Sequence, residues 1–405
     1  MDLTPLRTSR EFRLLWAGQS VSFIGGQITA VALPFHVYQL TGSSLAVGLI
    51  GLCELVPLLI TAAWGGALAD VADRRRVARR AETGLAIVSA LLVVNAALDC
   101  PRLWPLYVLA ALGSALYGFS RPAREAMVPR VVPREQIPAA AALMDGFMTF
   151  GAIVGPSLGG VLAQFAGLPL TYAVDTASFL ASVLTLTAMR PVPAPTTDGK
   201  VSLRGIVEGL RYARSRPVLM GTYVTDFVAM LFGMPEALFP AIAAERFGTG
   251  SGVLGFLYAA PAAGGLLVTL TSGWMGRIHR QGAAILVAAG VWGAAIIGFG
   301  WSQALVPTLA FLAIAGGADM VSGLFRLAIW NQTVPDELRG RLAGVELLNY
   351  SSGPLLGDVE AGVVARFTSA RFSIVSGGIA CVVGVALTAI ALPAFRRYDA
   401  RTPSG

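Results

Sequence analysis

Residues 45–80 read LAVGLIGLCELVPLLITAAWGGALADVADRRRVARR. Only Glu54 interrupts the apolar run before Asp70, and the run then stops on Arg74, Arg75, Arg76, Arg79 and Arg80. About 20 apolar residues carry a helix across the ~30 Å hydrocarbon layer, and arginines gather on the cytoplasmic side of such helices. The stretch therefore reads as one membrane span that ends inside the cell.

Working outward, the same pattern recurs along the chain. Charged or Gly/Pro-rich breaks leave twelve apolar runs, at 12–39, 45–70, 79–98, 103–122, 139–165, 168–190, 217–244, 251–276, 282–301, 304–330, 341–365 and 371–394. With the N-terminus in the cytoplasm, the inside segments collect all of the 30 basic residues except Arg102, Arg246, Arg366 and Arg371. Arg124 and Arg326 are counted among the inside residues. One span more or fewer would scramble this asymmetry. The first run lacks a short h-region with an A-x-A exit, so it reads as a retained span rather than a signal peptide. Lysine is almost wholly replaced by arginine, Lys200 being the exception, which points to a GC-rich bacterial genome. The expectation is a multi-pass protein of the bacterial inner (cell) membrane with both termini cytoplasmic.

Composition excludes other classes. Hydrophobic residues make up 55% of the 405 and charged residues 13%, half the ~25% of soluble domains, and the mean hydropathy is +0.68. Three scattered cysteines form no C-x-x-C pair, and His36 and His279 cannot build an H-E-x-x-H zinc site. Lys200 lies in Gly-Lys-Val, so the phosphate-binding G-x-x-x-x-G-K-[ST] loop is missing. No metal, cofactor or ATP is implied. The formal charge of +7 is spread in short clusters between apolar runs, not along the contiguous face a nucleic acid would need.

The longest break, 191–216, opens on Pro-Val-Pro-Ala-Pro. Leu203, Ile206, Val207 and Leu210 recur there at helical spacing among Arg204, Glu208, Arg211 and Arg214. This reads as a basic amphipathic helix on the inner leaflet, or else as a polar linker with a helical turn. The domains are then residues 1–190, the linker 191–216, and residues 217–405. The outer two are repeats. Residues 44–49 (SLAVGL) resemble 251–256 (SGVLGF), an offset of 207 that Gly66 and Gly273 share. Val132-Pro133-Arg134-Glu135 returns as Val334-Pro335-Asp336-Glu337, and Gly155-Pro156-x-x-Gly159 as Gly353-Pro354-x-x-Gly357. Six spans repeated in one orientation predict an all-α fold of two parallel six-helix halves, with a mid-membrane cavity between them.

That layout resembles the major facilitator superfamily, and four stretches carry the resemblance. Gly65-Gly66-Ala67-Leu68-Ala69-Asp70-Val71-Ala72-Asp73-Arg74-Arg75-Arg76 is similar to its cytoplasmic loop motif, with Val71 and Asp73 departing from the pattern. Gly151-x-x-x-Gly155-Pro156-x-x-Gly159-Gly160 resembles the motif of its proton antiporters. The segment 255–260 with 270–273, and the opening Phe12-Arg13, resemble its siderophore exporters and macrolide efflux pumps. The resemblance implies export of a siderophore or similarly bulky natural product by proton antiport and alternating access; a monomer is expected. A broad multidrug or macrolide efflux pump is the alternative. A uniporter ranks lower, and so does a non-transporting receptor, which would want a signalling domain.

Chemistry nominates particular residues. Asp70 at a helix end can latch onto an opposing helix or onto Arg121, whereas Arg74 and Arg75 can equally serve only to set topology. Gly151, Gly155 and Gly159 share one face, for tight packing, as a hinge, or to prevent leak. Pro156 can bend the span, and Gly160 completes the motif. A carboxylate at the bilayer centre costs ~2.5–3.5 kcal/mol and should face a cavity or a partner. Glu54 and Asp226 each lie ~13 Å into a span, and Asp319 lies within span ten. These three are the proton-coupling candidates, with a paired buried acid as the bland reading of each. Asp145, Asp175, Glu346 and Asp358 are expected to be structural pairs, helix-end partners or gate elements. Gln19, Gln27, Tyr223, Tyr258, Trp330 and Asn331 are the substrate-cavity candidates, offering stacking and hydrogen bonds to a bulky amphiphile. Trp104 and Trp301 read instead as interface anchors.

Overall fold

The computed structural model describes residues 2–192, 210–248, 250–335 and 338–401. Among these residues there is no strand, and twelve long helices follow one another. They are α1 (Arg10–Thr41), α2 (Ser44–Val71), α3 (Arg74–Ala96), α4 (Leu103–Val131), α5 (Ile137–Phe165) and α6 (Gly167–Ala188). The second set is α7 (Pro217–Gly233), α8 (Gly250–Leu270), α9 (Gln281–Trp301), α10 (Leu305–Thr333), α11 (Arg339–Phe367) and α12 (Ala370–Ala391). Residues 203–209 of the expected amphipathic helix lie outside the described residues.

Local chemistry sets the ends. Asp73 caps α3, its carboxylate accepting from the backbone N–H of Arg75 (3.0 Å) and Arg76 (3.4 Å), which satisfies donors a helix start leaves open. Ser369 does the same for α12 through the N–H of Phe372. The single run read at 217–244 is in fact broken. α7 stops at Gly233, a 3-10 turn occupies Glu236–Leu238, and a short helix resumes at Phe239–Phe247, because Pro235 supplies no N–H to continue α7. α4 runs to Val131, beyond the limit near 122 drawn from hydropathy, and so takes Arg124 into the helix.

Ten of the described helical segments are long and apolar enough to cross a membrane. The two helices outside that set are α3 and α11. α3 opens on five arginines, and α11 carries Glu346, Asn349, Asp358 and Glu360. Large apolar side chains such as Trp64, Phe165, Leu184, Val306, Phe367 and Ile390 stand exposed, a surface that suits lipid and not water.

The chain divides into two compact units. Unit 1 comprises Met1–Thr41, Cys53–Val201 and Thr249–Ala259; unit 2 comprises Gly42–Leu52, Ser202–Gly248 and Ala260–Gly405. Unit 1 is built on the pairs α1·α6, α3·α6, α3·α4 and α1·α5, and unit 2 on α7·α12, α9·α12, α9·α10 and α7·α11. These are the same four pairs, six helices on. Each unit also takes in the first turns of one helix from the other sequence half. Glycine permits it: a Cβ on Gly48 would lie 2.3 Å from the Asp358 carbonyl of α11, and one on Gly255 would lie 2.5 Å from the Pro156 carbonyl of α5. Gly48 and Gly255 are the shared glycine of the repeated hexapeptide.

Candidate functional site

In unit 1, a cavity of about 270 Å³ opens among α1–α4 and α6. Ser22, Gln27, Glu54, Tyr117, Arg124 and Asp175 contribute its polar wall, and Phe23 and Phe179 part of its apolar wall. Two of the predicted residues, Gln27 and Glu54, thus share one cavity. Gln19 is half-buried about two turns earlier on α1, and its amide Nε2 has no hydrogen-bond partner among the described residues. Tyr258 is half-buried in the α8 segment of the same unit.

Beside the cavity stands an ion pair that the sequence reading passed over. Glu82 of α3 is fully buried, and its Oε1 accepts from Arg124 Nη1 at 3.0 Å. The Arg124 guanidinium also lies 5.4 Å from the Tyr117 ring centre, within cation–π reach. The Asp175 carboxylate accepts from Thr29 (2.6 Å) and Ser89 (2.9 Å), tying α1, α3 and α6 together. His36 is buried, with Nδ1 3.4 Å from the Tyr172 hydroxyl.

The glycine face of α5 lies on α1. A Cβ on Gly151 would meet Phe23 at 2.6 Å, one on Gly155 would meet Gln27 at 2.5 Å, and one on Gly159 would meet the Ile28 carbonyl at 2.9 Å. Gly160 turns to α8, against the Ser251 carbonyl at 2.5 Å, and Pro156 is buried between them. The second copy behaves alike. Gly353 and Gly357 of α11 lie on Met230 of α7.

The surroundings of Gly66 and the side chain of Asp70 lie outside the described residues, and with them the contact expected between Asp70 and Arg121. Arg121 donates to Glu125 one turn on, at 2.8 Å. Arg74 is buried and donates to the Ala126 carbonyl of α4 at 3.0 Å, and Arg75 donates to the Met189 carbonyl after α6. These arginines tie the start of α3 to the ends of its neighbours.

Unit 2 brings Asp226 and Asp319 together through Arg326. Nη1 of Arg326 donates to Asp226 Oδ1, and Nη2 lies 3.6 Å from Asp319 Oδ1. Asn349 of α11 donates to the other Asp226 oxygen at 2.7 Å. Close by, Tyr223 and Trp330 pack with Leu219, Val334 and Leu342, whereas Asn331 is exposed. Asp358 accepts from the Ala237 N–H at 2.8 Å and holds the turn after α7. Arg326, counted above among the inside residues, lies within α10 and is bonded to Asp226. The signal was present in the sequence. Arg124 and Arg326 each stand eight residues ahead of the repeated Val-Pro-x-Glu, and Arg326 fell inside an apolar run, where an unpaired charge is costly.

A family model described as transmembrane secretion effector matches residues 1–404. The enterobactin exporter EntS of Shigella boydii is 26% identical over the whole of this chain and 97% of its own length, as is EntS of Escherichia coli O1:K1. Among solved structures, a POT family transporter in complex with 5-aminolevulinic acid superposes with a TM-score of 0.77 at 11% identity, covering 96% of this chain and 97% of its own. The nucleoside transporter NupG superposes at 0.73 and 11% identity, covering 95% and 98%. The human organic anion transporter MFSD10 (TETRAN) gives 0.67 at 16%, covering 94% and 99%.

Proposed function

Because the chain belongs to the transmembrane secretion effector family, within the major facilitator superfamily fold, we propose that it exports a siderophore or a similarly bulky natural product in exchange for protons. It is a transporter and not an enzyme. The observation that carries the proposal is the likeness to enterobactin exporters along the entire chain. The site chemistry supports it. Acids held inside spans can load a proton on one side and release it on the other, and Glu54, Asp226 and Asp319 have that placement. Gln27 and Tyr117 in the unit 1 cavity supply hydrogen bonds and Phe23 supplies stacking, the mixture a small-molecule site uses for orientation.

Broad macrolide or multidrug efflux is the second reading, favoured by the aromatic share of that cavity wall. Alternating access delivers the substrate in either case. The test is transport in proteoliposomes under an imposed pH gradient, with enterobactin and a macrolide supplied in turn. Gradient-dependent movement of one of them, with matching proton flux, is expected. Movement that is equal with and without the gradient would make the protein a uniporter.

A further inference from the structure

Arg326 faces an excess of acid. Asp226 reaches it from α7, and Asp319 from two turns earlier on α10. α11 adds Asn349, bonded to Asp226, and Glu346 and Tyr350, both close enough to act electrostatically on the guanidinium. α9, and the part of α8 that lies on α10 (residues 261–268), bring no charged or titratable side chain. Among the described residues, one cation thus serves three carboxyl groups.

The two aspartates are held differently. Asp226 is 7% exposed, and both its oxygens accept hydrogen bonds, one from a guanidinium and one from an amide. Donors directed at both oxygens favour the ionised form. Asp319 has the longer 3.6 Å contact, and 41% of its side chain is open. An open carboxylate deep in a span turns to water or to a ligand and not to lipid. In unit 1 the equivalent arginine, Arg124, is bonded to Glu82 and shares its cavity with Glu54 and Asp175.

We propose that Asp319 is the group at which proton and substrate exclude one another, that Arg326 is the positioning residue that keeps Asp226 ionised, and that Asp319 receives a hydrogen-bond-donating group of the substrate, a hydroxyl or an ammonium, and not an anion. This deepens the export reading and rests on it. Ionised Asp319 accepts a charge-assisted hydrogen bond from such a donor; once it takes up a proton, one oxygen becomes a donor and only a weaker, neutral carbonyl acceptor remains. One proton bound therefore accompanies one donor group released, and no other bond forms or breaks. An anionic group would do the reverse. It would compete with Asp319 for Arg326, and its charge would favour protonated Asp319, so proton and substrate would move together.

Two measurements on the full chain in detergent micelles test this. In the first, without ligand, infrared difference spectra between about pH 8 and pH 5 report carboxylic acid formation. A band present in the wild type and in Glu54→Gln, and lost in Asp319→Asn, is expected; a band undiminished in Asp319→Asn overturns the assignment. Arg326→Met should add a second band, from Asp226, that Arg326→Lys does not. Without that second band, the role given to Arg326 is wrong. In the second, enterobactin or erythromycin is added to weakly buffered protein with a pH dye. The wild type should release up to one proton per ligand bound, and Asp319→Asn should bind without release. Equal release from both would refute the exclusion. If neither ligand binds while the infrared band still disappears with Asp319, the substrate class under the export reading fails and the proton site stands.

Discussion

The Glu82–Arg124 pair gives the sharpest stability test. Glu82 has no exposed surface, and the Arg124 side chain is 15% exposed. At an effective dielectric near 20, unit charges ~4 Å apart attract by ~4 kcal/mol, and removing one member of such a buried pair costs about 3–5 kcal/mol because the other is left uncompensated. Arg124→Met should fall in that range, since Glu82 has no route to water. Glu82→Leu should cost less, because Arg124 can lean on Tyr117. Combining the two replaces the pair by apolar side chains of similar volume, a change that is often neutral or stabilising. The double variant should therefore be more stable than Arg124→Met alone, with a coupling energy of about 3 kcal/mol or more. Denaturant unfolding in micelles, followed by tryptophan fluorescence, measures all four corners of the cycle. Costs that add to within about 0.5 kcal/mol would refute the reasoning.

Gly255→Ala would drive a methyl to 2.5 Å from the Pro156 carbonyl, backbone that cannot swing aside, whereas a Cβ on Gly26 would meet nothing within 4 Å. Overpacking of this kind costs about 1–3 kcal/mol, so thermal melts should show Gly255→Ala several degrees below Gly26→Ala; equal melts would contradict the close approach. Cys100 is exposed in the loop between α3 and α4, whereas Cys381 is buried. With the N-terminus inside the cell that loop is external, so an impermeant maleimide should label Cys100 in intact spheroplasts and should not label Cys100→Ser. Labelling that requires lysis would reverse the orientation.

Hydropathy and charge made the helix count readable from residues alone. Both signals are local or periodic, and lipid enforces them strongly. The break in α7 escaped because Pro235 sits in a run whose hydropathy never falls. The ion pairs escaped for another reason. Arg124 and Arg326 were counted by sign alone, and only the packing of α3 on α4, and of α7 and α11 beside α10, decides whether an arginine at a span's inner end faces the cytoplasm or a carboxylate. The roles of Asp226 and Asp319 were likewise beyond the sequence, since the same residue type 93 positions apart becomes a fully bonded acid in one case and a loosely held one in the other. Glu54 and Gln27 were easier. Midplane polar residues have few places to go, and the cavity beside them is where they went.

The exchanged helix starts have a meaning in terms of symmetry. α2 gives its first turns to α11, and α8 gives its own to α5, with Gly48 and Gly255 at matching points of a repeated hexapeptide. Position i meets j, and the copy of i meets the copy of j, which is the rule of a self-complementary association. A six-helix polypeptide meeting a second molecule of itself would satisfy both contacts from one sequence. The arrangement is thus one that a homodimer could hold before any duplicated gene was joined. It also means that each half, produced alone, would expose two incomplete seams that only its counterpart can fill.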